Sequence, residues 1–383
     1  MSDVDELDAP SVLAAPRVLG EDGSLEPGWL GLRDGRIVDV GAGSPPAGVP
    51  VLDGLTLVPG FVDLHQHGGG GAAYTDGREA ARTVLRTHRR HGTTTSVASL
   101  VTDSLDVLAG QVSALAGLVA DDDLAGIHLE GPWLSHRFCG AHDPRLLRDP
   151  AWPDVERVLR AGEGAVRMVT LAVERPGARE VVRALRERGV VVAAGHSDAT
   201  YAEAVGAIAD GVGVGTHLFN AHRPVHQREP GLAVALLESE QVVVELIADG
   251  LHVHPALLRS AVRQAPGRWA LVSDAMAAAG SGDGDYDLGP LRVAVREGVA
   301  RVAGQDTIAG STLTLDRAVR FAVREVGVPL SEAVAAATSV PARVLGRDDV
   351  GSLASGCRAD VVALDEELRV RHVWRRGRRV GAG

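Results

Sequence analysis

The sequence predicts an α/β protein in which a TIM-like (β/α)8 barrel is joined to a small β-sandwich domain built from both termini. The middle of the chain alternates apolar, strand-like runs with amphipathic helical stretches, which is typical of parallel strands connected by crossover helices. There are eight such runs, the number that closes a barrel. Both ends of the chain instead show a pattern of short strands and turns. The length of 383 residues suffices for a barrel and a smaller second domain.

The small domain is expected to comprise residues 1–57 and 347–383, with 287–302 adding strands to it, and the barrel residues 58–346. Asp34-Gly35 separates two strand-like runs near the N-terminus, and residues 359–364 and 368–374 repeat that pattern near the C-terminus. The barrel strands are predicted at 58–65, 93–100, 124–130, 166–173, 190–196, 212–217, 242–248 and 269–274. The predicted helices include 78–91, 105–118, 178–188, 201–210, 255–264, 314–325 and 331–345.

Composition excludes several classes of function. The formal charge of -11 argues against a nucleic-acid or anionic-membrane partner, although a local basic site for an anionic substrate stays open. No apolar run approaches membrane-spanning length, and the acidic start 1–8 does not resemble a signal peptide, so a cytoplasmic location is expected. The two cysteines, Cys139 and Cys357, form no disulfide framework.

The chain contains no lysine, so all 39 basic residues are arginine. Schiff-base chemistry, a pyridoxal-phosphate lysine and a carbamylated lysine between two metals are therefore excluded. If two metals share a bridging ligand, a carboxylate must supply it.

Polar residues follow the predicted strands at the end where such barrels build their active sites. His65 and His67 lie two residues apart, so their imidazoles project to the same side of a strand and can converge on one ion. Imidazole and carboxylate are the side chains that hold zinc or a similar divalent ion. The further candidates at the strand ends are Glu130, which has two oxygens able to bridge two metals, with His196, His217, His252 and Asp274.

The chain resembles the amidohydrolase superfamily and, within it, the N-acetylglucosamine-6-phosphate deacetylase family. The resemblance rests on nine motifs in order along nearly the whole chain: His-Gln-His-Gly-Gly-Gly-Gly at 65–71, His-Leu-Glu-Gly-Pro at 128–132, Gly-Ala-His at 140–142, Gly-His-Ser-Asp-Ala-Thr at 195–200, Thr-His-Leu-Phe-Asn-Ala at 216–221, Arg-Glu-Pro-Gly at 228–231, Ala-Asp-Gly-Leu-His at 248–252, Ser-Asp-Ala at 273–275 and Ala-Gly-Ser at 309–311.

The resemblance implies a role for each matching residue. Glu130, His196 and His217 would hold the metal that all members share; His65 and His67 would hold a second, with Glu130 as bridge and Asp274 nearby. Asp274 would also be the catalytic acid and base. Contacts to the sugar phosphate are implied for Ala141, His142, Asn220, Ala221, Arg228, His252, Ile308, Ala309 and Gly310. Arg228 would reach the active site of the neighbouring subunit, which implies a homodimer.

The expected reaction is metal-dependent hydrolysis of the acetamide of N-acetyl-D-glucosamine 6-phosphate to D-glucosamine 6-phosphate and acetate. One or two divalent metals per subunit are expected, with zinc favoured over iron, manganese or cobalt. Two departures from the family pattern, Phe138-Cys139 before Gly-Ala-His and His222 after Asn-Ala, leave alternatives open: N-acetylgalactosamine 6-phosphate or a non-phosphorylated N-acetyl sugar. A cyclic-amide hydrolase is disfavoured because those enzymes commonly use a bridging lysine, and a non-catalytic scaffold is disfavoured because every expected ligand is present.

Overall fold

The computed structural model describes residues 11–381, so the acidic start at 1–8 lies outside the described residues. In chain order the strands are β1 (Val12–Leu19), β2 (Leu25–Arg33), β3 (Arg36–Ala42), β4 (Thr56–Pro59), β5 (Phe61–Gln66), β6 (Gly68–Gly69), β7 (Ala72–Ala73), β8 (Thr93–Val101), β9 (Gly126–Glu130), β10 (Val166–Leu171), β11 (Val191–Ala194), β12 (Val212–Gly215), β13 (Val243–Leu246), β14 (Trp269–Leu271), β15 (Gly284–Leu288), β16 (Leu291–Arg296), β17 (Val299–Val302), β18 (Val361–Leu364), β19 (Val370–Arg375) and β20 (Arg378–Arg379).

The α-helices of the same range are α1 (Arg78–Arg90), α2 (Leu105–Ala120), α3 (Trp152–Ala161), α4 (Ala178–Glu187), α5 (Tyr201–Asp210), α6 (Gly231–Glu238), α7 (Pro255–Gln264), α8 (Leu315–Phe321), α9 (Leu330–Ala336) and α10 (Ser339–Val344). Short helical turns lie at Tyr74–Asp76, Pro144–Leu146 and Ala322–Val326. Within 11–381, no helix combines the length and apolar character needed to cross a bilayer.

Eight parallel strands form the barrel, in the order β5, β8, β9, β10, β11, β12, β13, β14, which confirms the predicted fold class. A parallel bridge between Gln66 and Ala275 connects the first strand to the segment after the last. Beneath it, the buried Asp63 carboxylate accepts hydrogen bonds from the Ser273 N–H at 3.2 Å and the Ser273 hydroxyl at 2.6 Å. The closure of the barrel therefore depends on polar contacts as well as on the backbone ladder.

The helices pack their apolar faces on this barrel. In α2, buried leucines and a valine recur every three or four residues, at Leu105, Leu108, Val112, Leu115 and Leu118. The predicted helix 331–345 is divided into α9 and α10, because Pro341 has no N–H for an interior helical bond but is tolerated in the first turn of α10. Helices α3 and α6 were not among the predicted elements.

The chain ends meet in a seven-stranded sheet of order β20, β19, β18, β4, β1, β2, β3. It has its own apolar cluster, which includes Leu30, Ile37, Leu57 and Val361. The apolar run predicted at 58–65 covers parts of two strands, since β4 belongs to this sheet and β5 to the barrel. They are separated at Gly60, where a Cβ would lie 2.3 Å from the Thr94 hydroxyl.

One expectation is wrong: residues 287–302 add no strands to the terminal sheet. They form a separate antiparallel sheet of β15, β16 and β17. This excursion begins after the eighth barrel strand, at the opposite end of the barrel from the junction between β4 and β5. Its buried residues, such as Leu288 and Val293, therefore pack against Val101, Met276 and Ala309 near the mouth of the barrel.

Candidate metal centre and active site

The polar residues singled out in the sequence converge at the C-terminal end of the barrel. Glu130 is the last residue of β9; His196 and His217 each lie two residues beyond a strand, and Asp274 three beyond β14. They surround a cavity of about 380 Å³. Its lining comprises His67, Val101, Glu130, Arg137, Phe138, Gly140, Ala141, His142, His196, His217, Asn220, Ala221, His252, Asp274, Leu288, Thr307, Ile308 and Gly310.

Glu130, His196 and His217 form one compact set of donor atoms. Glu130 Oε1, His196 Nε2 and His217 Nε2 lie 3.1 Å from one another in every pairing. Bonds of about 2.0–2.1 Å at tetrahedral angles would separate ligand atoms by about 3.3 Å. The three atoms therefore have the spacing of three ligands to one divalent ion.

A second set of donors lies on the other side of the same carboxylate. His65 Nε2 and His67 Nε2 are 3.2 Å apart, and they lie 3.4 and 3.3 Å from Glu130 Oε2. Asp274 Oδ1 is 3.6 Å from the first imidazole and 3.1 Å from the second. Because the two Glu130 oxygens face different histidine pairs, this carboxylate has the geometry of a bridge between two ions.

The remaining ring nitrogens are held by partners outside the cavity. His67 Nδ1 lies 3.2 Å from the Ser99 carbonyl, and His196 Nδ1 lies 3.1 Å from the Phe138 carbonyl. A carbonyl only accepts hydrogen bonds, so in the neutral ring each Nδ1 carries the proton and each Nε2 directs a lone pair into the site. In their neutral form both rings are thus oriented as metal ligands require.

His142 is close enough to be considered a ligand, since its Nε2 lies 3.5 Å from Glu130 Oε2 and it can be grouped with Glu130 and His196 around one ion. Its other nitrogen argues against that role. The Thr102 backbone N–H donates to His142 Nδ1 at 3.3 Å, and the Thr102 hydroxyl lies 2.9 Å from the same nitrogen, so we assign the proton of the neutral ring to Nε2. His142 is therefore a hydrogen-bond donor facing the cavity, and His217 is the better third ligand.

The electrostatics of the site favour bound positive charge. Burial acts to lower the pKa of His67, but hydrogen bonds to Asp274 and Glu130 act in the opposite direction and bring the pKa to about 9. Burial raises the pKa of both carboxyl groups, yet the surrounding histidines hold each one below its usual range. Burial lowers the pKa of His196 to about 4, leaving its lone pair free. A divalent ion would supply the charge that these carboxylates attract.

Several residues around the cavity have a left-handed backbone. The φ angles are 48° at His196, 26° at His217, 47° at Asp274 and 52° at Ala221. Such conformations cost on the order of 1–3 kcal/mol each for non-glycine residues and persist where surrounding structure enforces them. Here they turn three donor side chains inward from the ends of separate strands.

Comparison with known proteins identifies the family. The model of the amidohydrolase family matches residues 56–380, which is most of the chain. The chain belongs to the amidohydrolase family.

This amidohydrolase is similar to curated deacetylases along nearly its whole length. It is 37% identical to N-acetylgalactosamine-6-phosphate deacetylase of Escherichia coli O157:H7, over 96% of this chain and 98% of that protein. It is also 37% identical to the Bos taurus N-acetylglucosamine-6-phosphate deacetylase, over 84% of this chain and 82% of the relative. The resemblance inferred from the motifs is thereby confirmed: the chain is a hydrolase of the deacetylase group.

The solved structures agree with this assignment. The crystal structure of N-acetyl-D-glucosamine-6-phosphate deacetylase from Mycobacterium smegmatis superimposes with a TM-score of 0.94 at 50% identity, covering 97% of this chain and all of that one. An aspartate-to-alanine variant of the same protein has been solved in complex with N-acetyl-D-glucosamine-6-phosphate.

In this amidohydrolase most of the predicted substrate contacts line the cavity. The exceptions are two. Ala309 is fully buried in the apolar cluster beneath the three-stranded sheet. Arg228 is exposed on the loop after β12 and does not line the cavity of its own subunit.

The two departures from the family pattern lie near the cavity but differ in their surroundings. Phe138 lines it, whereas Cys139 is half-buried and unpaired, and burial raises the pKa of its thiol. His222 is buried and its Nε2 lies 3.1 Å from the Thr216 carbonyl. His222 thus supports the loop that carries His217.

One residue beneath the site was missed in the sequence analysis. Glu245, on β13, is fully buried and its Oε2 lies 3.1 Å from His65 Nδ1. The signal that could have revealed it is a charged residue within the otherwise apolar run 242–248.

Proposed function

We propose that this chain hydrolyses the acetamide of N-acetyl-D-glucosamine 6-phosphate to D-glucosamine 6-phosphate and acetate. The observation that carries the proposal is the Glu130 carboxylate lying between two histidine pairs, beside Asp274 and at the floor of a cavity of about 380 Å³. The names of the curated relatives and the sugar phosphate bound to the Mycobacterium smegmatis enzyme support this substrate. A cytoplasmic location is part of the same proposal.

The proposed cofactor is a pair of divalent ions, with zinc favoured. Glu130, His196 and His217 would hold one, and His65, His67 and Asp274 the other, with Glu130 shared. When bound, such ions make water a competent nucleophile near neutral pH and polarise the amide carbonyl. Donor spacings of 3.1–3.6 Å in both sets support this arrangement.

Asp274 is the proposed general base and acid. Its pKa is held low by the neighbouring histidines although burial raises it, so the carboxylate is ionised and able to accept a proton from water. The same group would then protonate the amide nitrogen, because an amine is a poor leaving group until it is protonated. The side chain is 11% exposed and lines the cavity, where substrate can reach it.

His142 is the proposed donor to the carbonyl oxygen as negative charge develops on it. Its Nε2–H faces the cavity because its Nδ1 accepts the Thr102 N–H. His252 has a related arrangement, with Nδ1 2.7 Å from Asp249 Oδ2, and would donate to a sugar hydroxyl.

The phosphate would be bound by arginine, whose planar fork pairs with two phosphate oxygens. Arg228 is exposed and does not line the cavity of its own subunit, which supports the proposal that it binds substrate in the neighbouring subunit of a homodimer. Arg137 lines the cavity with 70% of its side chain exposed and is paired with Asp198 at 3.1 Å. Arg137 would assist phosphate binding within the same subunit.

A second candidate substrate is N-acetylgalactosamine 6-phosphate, favoured by the 37% identity to the Escherichia coli enzyme over 98% of that protein. The chemistry at the acetamide would be the same, and the difference would lie at one sugar hydroxyl. A non-phosphorylated sugar would leave Arg228 without a partner.

The deciding experiment measures metal content of the purified protein and acetate release from three substrates, before and after chelation. The substrates are the two 6-phosphates and free N-acetylglucosamine. We expect close to two metals per chain and chelator-sensitive turnover that is fastest on N-acetylglucosamine 6-phosphate. Faster turnover of N-acetylgalactosamine 6-phosphate would make that sugar phosphate the preferred substrate. Equal rates on phosphorylated and free sugar would remove the role of Arg228, and metal without any acetate release would refute the deacetylase proposal.

A further inference from the structure

We propose that Glu245 is a positioning residue that builds the second metal position through His65. This inference depends on the two-metal proposal above. Glu245 lies beneath the cavity on the seventh barrel strand and has no access to solvent or substrate.

The geometry shows how Glu245 acts on the histidine. Its Oε2 accepts from His65 Nδ1 at 3.1 Å and from the His217 backbone N–H at 3.2 Å. A carboxylate accepts only, so in the neutral ring the His65 proton is on Nδ1 and the Nε2 lone pair faces Glu130 and Asp274. In His67 and His196 the Nδ1 atom is bonded instead to a backbone carbonyl, which carries no formal charge. Among the four histidines proposed as metal ligands within residues 11–381, only His65 has a carboxylate at its Nδ1.

Charge gives the carboxylate a second effect. Two divalent ions bring four positive charges, against two negative charges from Glu130 and Asp274. A third buried carboxylate brings the site closer to neutrality, whereas beside a single ion it would leave an excess of negative charge. Glu245 Oε1 has no hydrogen-bond partner within the described residues, and bound cations would offset the charge of this partly paired carboxylate. Glu245 thus favours occupancy of the second position.

The test is metal binding by Glu245→Gln. Glutamine keeps the size and one acceptor oxygen but removes the charge. The chelated protein is titrated with Zn²⁺ against a competing chelator, and metal per chain is measured after gel filtration. We expect one ion to bind as in the wild type and the second to bind about 10- to 100-fold more weakly, the usual effect of losing a partner of a metal-ligating histidine. The circular dichroism spectrum of the chelated variant should match that of the wild type.

The matched control is Asp316→Asn. Asp316 Oδ1 lies 3.4 Å from His91 Nδ1, so it is also a buried carboxylate paired with a histidine, but neither residue lines the cavity. This variant should bind both ions with wild-type affinity. If Glu245→Gln bound two ions with wild-type affinity, the role of Glu245 would be refuted and the two-metal proposal would stand. Equal weakening of the binding of both ions would have the same consequence. A single ion in the wild type would overturn the two-metal proposal together with it, while acetate release could still support the substrate.

Discussion

Replacing His142 with phenylalanine, which keeps a ring but has no N–H, tests the assignment of this histidine as a hydrogen-bond donor. The Thr102 N–H bonded to Nδ1 places the proton on Nε2, which faces Glu130 Oε2 at 3.5 Å across the cavity. Loss of one donor to a developing oxyanion typically costs about 10²–10³ in kcat, or about 2.7–4 kcal/mol. We expect a fall of that size with little change in KM, because the interaction strengthens only in the transition state.

The assay pairs steady-state kinetics with metal content. His142→Phe should keep the wild-type number of ions, whereas His217→Phe should lose one, because His217 Nε2 lies 3.1 Å from both Glu130 Oε1 and His196 Nε2. Loss of a metal from the His142 variant with retention in the His217 variant would refute the reasoning, since it would make His142 the ligand.

Three further predictions follow from the same structure. Asp274→Asn should lower kcat by about 10²- to 10⁴-fold, the range for loss of a general acid–base group, measured by acetate release. Arg228→Ala should raise KM for the 6-phosphate, and reassociation with Asp274→Asn subunits should restore activity at about a quarter of the sites if Arg228 acts across a dimer. Burial raises the pKa of Asp122, but three neighbouring arginines hold it below its ordinary value. Its contribution to stability is therefore present above the unfolded-state pKa and lost as pH falls through the folded one, so Asp122→Asn should lower the thermal midpoint at pH 7 and not near pH 2.

The barrel could be predicted because its strands are continuous apolar runs, a pattern that parallel strands buried on both faces require. Each of the eight runs overlaps an observed barrel strand. The error at 287–302 has a different origin. An alternating strand pattern shows which face is buried, but the partner of that face depends on where the chain emerges, and this segment emerges after β14 at the mouth of the barrel.

The candidate ligands could also be predicted, because imidazoles and carboxylates at strand ends are visible in the sequence. Their supporting partners were not. The carbonyls of Ser99 and Phe138 orient two histidines, and a backbone carbonyl can belong to any residue type. Glu245 lies within an apolar run that predicts only a buried strand, and its pairing with His65 joins residues 180 positions apart. The proposed role of Arg228 depends on a second copy of the chain, which no pattern within one subunit specifies.

The contacts that close the barrel lie beside the second proposed metal position. Asp63, two residues before His65, bonds Ser273, which immediately precedes Asp274, and the Asp274 N–H donates to the His65 carbonyl at 2.8 Å. The contacts that join the first strand to the last are therefore those that bring two donor side chains together. An ion bound there would connect the two ends of the barrel sheet, and binding to the folded state alone stabilises it by mass action. The left-handed backbone at Asp274 can persist because closure holds both of its neighbours, so the strain that directs this carboxylate inward is offset by the same contacts that complete the fold.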